Sequence, residues 1–170
     1  MENFFKETKE KLEKNKKFVR NKNFDAIPDD EDLYFAVTDF LRRKNDEEIA
    51  MLPMTCQYVN AASIVTEMVY VTDFENVYTA YKHLVQLAIV GLFEIGELEL
   101  AEVIRKSYRT YENSKGILDK YEQGILSWAQ LLGLKLWEKS HEEFNRVYPC
   151  KDSASKGRYI RRNFRDFYDL

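Results

Sequence analysis

Apolar residues recur along this chain mainly at intervals of three and four, the repeat that places them on one side of an α-helix. Residues 2–19 carry Phe4, Phe5 and Leu12 on one side and Lys/Glu pairs elsewhere, which predicts a surface helix with a thin apolar stripe. Pro28, followed by Asp29, Asp30, Glu31 and Asp32, marks the start of a second helix. Proline fits a first turn, and carboxylates suit the positive end of the helix dipole. Leu33, Val37, Phe40 and Leu41 continue it, and Arg42, Arg43 and Lys44 suit its far end. Leu52-Pro53 opens a third, with Ile64, Val65, Met68 and Val69 on its buried face. The rhythm then breaks at Val71-Thr72-Asp73 and resumes at Phe74. Val77, Tyr78, Tyr81, Leu84, Val85 and Ala88 carry it through "LAIVGLF" to Gly96. Segment 83–93 is apolar nearly all round, which predicts the central helix.

"ELELAEVIRKSYRTYEN" predicts a further helix, with Ala101, Ile104, Tyr108 and Tyr111 as its stripe and "NSKG" as its end. Residues 117–132 and 134–148 predict two more, punctuated by Gly124 and Gly133. "YPCKDSASKG" reads as a loop, and Tyr159, Ile160, Phe164 and Phe167 give the closing helix one apolar face. "MVYVTDF" has strand-like residues but no partner strand, and a lone strand is not stable. The expected fold is therefore all-α: a compact single-domain bundle of about seven to nine helices. Its expected organisation is an N-terminal helical arm over residues 1–23 and a helical body over 24–170.

Composition narrows this reading. A chain of 170 residues with 11 Tyr and 11 Phe can bury an aromatic-rich core. Six Gly and three Pro are too few for a turn-rich sandwich. Cys56 and Cys150 follow no metal or redox spacing and read as free thiols in a reducing compartment. The N-terminus lacks the apolar stretch of a signal peptide, and no apolar run is long enough to span a bilayer. The expected setting is cytoplasmic, away from membranes.

Charge changes the picture most. The net charge is −3, divided as +4 over residues 1–23, −12 over 24–103 and +5 over 104–170. The acids gather at Asp29–Asp32, at Asp46, Glu47 and Glu48, and at Glu94, Glu97, Glu99 and Glu102. Together they are the candidate interaction face, since fixed carboxylates can engage a basic partner. The plainer reading is that the basic ends fold against the acidic middle, and that acids sit where helices begin.

Catalytic chemistry is thin. The chain has no P-loop, no G-x-G-x-x-G and no G-x-S-x-G. Its histidines are His83 and His141, and Glu138 with His141 forms one Glu-x-x-His pair. A helical di-metal site needs a second such pair, so neither metal nor cofactor is expected. His83 sits beside Lys82 without a nucleophile or orienting acid. Arg158, Arg161, Arg162 and Arg165 share one side of the last helix and could touch phosphates. In an acidic chain they read instead as a solvated face, with no direct nucleic-acid binding.

"EMVYVTDFENVY", residues 67–78, carries a resemblance. It resembles the hallmark of the bacterial DNA-mimic protein family, roughly Glu-x-x-Val-Asn-Asn-Gly-Gly-Phe-x-Gln-Tyr-Phe. The positions concerned are Glu67, Val69, Asp73, Phe74, Asn76 and Tyr78, with Asn76 near the Gln position. "AIVGLFEIGELELAEVIRKSYRTYEN" is similar to that family's helix-turn-helix, Ile95-Gly96 forming the turn and Ala101 and Ile104 the packing face. "EEFNRVYP" and "GRYIRRNFRDFY" resemble its closing segments, so the likeness covers about residues 55–168. Tyr70, Val71, Thr72 and Asp73 replace the family's Asn-Asn-Gly-Gly turn, which glycine would let adopt positive φ. The resemblance implies a non-enzymatic protein whose acidic face imitates DNA phosphates and binds a basic DNA-binding protein. The alternatives are an immunity protein neutralising a cognate toxin, or an enzyme with a helical pocket using Glu138 and His141. A homodimer is compatible with any of these.

Overall fold

Ten α-helices form among the described residues, and no strand does. The computed structural model describes the backbone of residues 2–148 and 152–170, and side chains over 6–148 and 153–170. The expected roles of Phe4, Phe5 and Cys150 therefore lie outside the described residues. The helices are α1 Glu2–Arg20, α2 Asp30–Leu41, α3 Asp46–Ala50, α4 Met54–Val71, α5 Phe74–Ala80, α6 Lys82–Ile95, α7 Leu98–Glu122, α8 Trp128–Gly133, α9 Glu138–Val147 and α10 Asp152–Arg162. Among the described residues no helix is long and apolar enough to cross a membrane. Where one domain is expected, contacts gather the chain into two units: Met1–Asn60 with Lys151–Leu170, and Ala61–Cys150.

In the first unit, α1 and α10 both pack on α2. The helix of the expected arm over 1–23, α1, lies along α2. Its buried face is Asn15, Lys16 and Val19. The Lys16 ammonium is held between Glu13 at 2.7 Å and Asp39 at 2.9 Å, so a buried charge is paired. Asp29 caps α2, its carboxylate accepting from the Asp32 amide at 2.9 Å. Leu33, Val37 and Leu41 are buried as the stripe predicts. Gly157 of α10 sits where any Cβ would run into the Asp30 carbonyl, so a side chain there would push the two helices apart. Cys56 is a buried free thiol donating to the Asp166 carbonyl at 3.1 Å, and burial pushes its pKa up to about 12.

In the second unit, the break at Thr72-Asp73 is a helix-to-helix joint. Asp73 caps α5 by accepting from the Asn76 amide at 2.7 Å and from the Asn76 side chain at 2.9 Å, and Phe74 behind it is fully buried. The Asn/Gly positive-φ turn is not needed, because an extended Asp73 makes the corner. The stripe from Phe74 to Gly96 is two helices rather than one. The Thr79 hydroxyl bonds back to the carbonyls of Glu75 and Asn76, which favours bending, and Tyr81 leaves helical geometry at φ −124°. Nor is α6 buried all round, since Val90 and Phe93 are exposed.

Further boundaries differ from the sequence reading. "NSKG" does not end α7, which runs to Glu122. One glycine costs a helix only about 1 kcal/mol, and buried Ser114 and Leu118 continue the stripe. Gly124, at φ +71°, follows its end instead. Residues 152–157 of the expected loop belong to α10.

Candidate functional site

Several of the acids singled out by sequence have structural work. Asp30 pairs with Arg161 at 2.9 Å and Asp32 with Lys11 at 2.6 Å, so both basic ends do meet the acidic middle. Asp29 caps α2, Glu48 completes a capping box with Asn45 on α3, and Glu102 is paired with Arg105. Glu31, Glu47, Glu94 and Glu99 are exposed. The groups also divide between units: Asp29–Asp32 and Asp46–Glu48 lie in the first, Glu94–Glu102 in the second. Of the motif positions, Val69, Phe74 and Tyr78 are core, Asp73 and Asn76 form the α5 cap, and Glu67 is half-buried.

A different set of carboxylates converges in the second unit. A cleft of about 300 Å³ is lined by Asp73, Glu75, Leu132, Lys135, Trp137, Glu138, His141, Glu142 and Asn145. Trp137, which lines it, belongs to a buried aromatic stack. Tyr78 lies face to face with Trp137 at 5.1 Å and with Tyr111 at 4.8 Å. The Trp137 indole donates to the Ser107 carbonyl at 3.0 Å. The Ser107 hydroxyl donates to the Ile104 carbonyl at 2.7 Å, so its single proton is spent, and the Tyr78 hydroxyl must donate to it across 2.8 Å. Burial accordingly drives the Tyr78 pKa far up, so the ring stays neutral. His141 lies edge-on to Phe74 at 5.9 Å.

Charge in this cleft is unbalanced. Lys135 is its one base besides His141, and Lys135 bonds Glu138 at 2.7 Å. Asp73, Glu75 and Glu142 remain. Glu75 is the unusual member, with 8% of its surface exposed. Burial raises the proton affinity of its carboxyl; its own backbone N–H opposes this, and neighbouring Asp73 adds to it. Among the described residues no cation pairs with it. A carboxylate withdrawn from water without a counter-charge is costly, and an incoming cation removes that cost.

Glu138 and His141, paired by sequence spacing, do line this cleft, with Glu138 exposed and bonded by Lys135. Among the described residues, no three His, Cys, Asp or Glu side chains are grouped to hold a metal ion. His83 is exposed on α6 and does not line the cleft. Sequence reading missed Glu75, Trp137, Glu142 and Asn145 as a group. The available signal was Glu75 itself, an acid between Phe74 and the buried pair Val77 and Tyr78. No family model, no curated protein and no solved structure matches this chain.

Proposed function

We propose that this chain is a non-enzymatic binding protein that takes a basic side chain of a partner protein into the cleft around Glu75. The observation that carries this reading is the buried Glu75 carboxylate, set beside Asp73 and Glu142 with no base of its own. A guanidinium or ammonium entering there gains charge-assisted hydrogen bonds and relieves an unmatched charge.

The partner best suited to such a site is a basic DNA-binding protein, whose arginines and lysines otherwise meet phosphates. This keeps the DNA-mimic-like reading but moves its contact from the acidic clusters, where several acids are paired or cap helices, to the α5/α9 cleft. Competition tests it. Labelled duplex DNA is bound to a basic nucleoid protein and the chain is titrated in, with anisotropy as the readout. Displacement by the native chain, lost in E75Q/E142Q, supports the proposal. Equal displacement by both, or none by either, contradicts it.

A further inference from the structure

We infer that the first unit carries a separate anion site, built on α10, for a small phosphorylated ligand. A cleft of about 450 Å³ is lined by Pro28, Asp30, Arg158, Arg161 and Arg162. Arg161 is already spent. Its Nε donates to Asp30 Oδ1 at 2.9 Å and its Nη2 to the Ile27 carbonyl at 2.7 Å, so it forms wall rather than ligand contact and neutralises Asp30. Among the described residues Arg158 makes a single bond, Nη2 to the Ser155 hydroxyl at 2.8 Å, which aims the guanidinium and leaves its other donors open. Arg162 is exposed and makes no pairing among the described residues.

Arg158 and Arg162 stand four residues apart, so two like charges share one helix face, an arrangement that is unfavourable when nothing lies between them. An oxyanion bridging both removes that repulsion, and guanidinium forks match phosphate oxygens in pairs. Gly157, closed against the Asp30 backbone, fixes the height of α10 over α2 and with it both arginine stems. A small phosphate is preferred to a nucleic acid. Two open arginines in one cleft suit a single phosphate group, and the chain's net charge of −3 opposes a polyanion.

The test is a thermal-shift and amide chemical-shift titration with inorganic phosphate, against chloride at matched ionic strength. The native chain should show a phosphate-specific rise in Tm, with shifts centred on Ser155, Arg158 and Arg162. R158Q and R162Q should each weaken the response roughly tenfold, since one charge-assisted contact is lost. R165Q, on the same terminal segment but outside the cleft, should respond as native. A rise of equal size in chloride, a response unchanged in R158Q and R162Q, or shifts produced only by duplex DNA at the same phosphate concentration each overturn the inference.

Discussion

Glu75 concentrates the argument at the scale of single residues. Its carboxyl is easier to protonate in the fold than in the unfolded chain, chiefly because it is buried. The native state therefore binds more protons than the unfolded state from the ordinary glutamate range upward, and stability falls as pH rises through that window. E75Q should consequently be more stable than the native chain at neutral pH, with the gap closing in acid. Denaturant unfolding at several pH values reads this directly; a variant less stable at every pH would mean that the carboxylate is matched. Tyr78 makes the opposite kind of contribution. Y78F removes one buried hydrogen bond while keeping the stack, and should lower stability by about 1 kcal/mol by the same measurement.

At the scale of elements, two glycines on helices make a matched pair. Gly116 lies within α7 with open space around it, so G116A should stabilise by roughly 0.5–1 kcal/mol through helix propensity alone. Gly157 faces the Asp30 backbone, so G157A should destabilise by about 1–3 kcal/mol through overpacking. Tm shifts of opposite sign in the two variants are the check. Sequence could not separate these glycines, because nothing local records what a neighbouring helix brings close. The same limit explains the misplaced ends. Helix stripes such as Leu33, Val37 and Leu41 were legible because periodicity is local, and the α5 corner was legible at Asp73. The bend at Tyr81 follows side-chain bonds of Thr79 to the backbone, and the run of α7 through Gly116 depends on packing; periodicity carries neither. The cleft was only partly legible. Glu138 and His141 stood out by spacing, whereas Asp73 and Glu75 reach it from α5, far off in sequence.

At the scale of the whole molecule, charge is arranged rather than merely counted. The basic ends and acidic middle seen along the sequence meet in pairs such as Lys11 with Asp32 and Arg161 with Asp30. Pairs that keep contact with solvent, as these do, contribute little each, so raising salt should change global stability only slightly. Binding at the Glu75 cleft should respond strongly, since there Glu75 lacks a counter-charge among the described residues and a cation must come from outside. The most direct measurement is calorimetric titration of the intact chain with an arginine-rich peptide across a salt series. The account predicts binding that weakens with salt, falls roughly tenfold or more in E75Q, and is unchanged in E47Q, which removes an exposed acid outside the cleft. Equal losses in E75Q and E47Q, or peptide binding indifferent to salt, would contradict it.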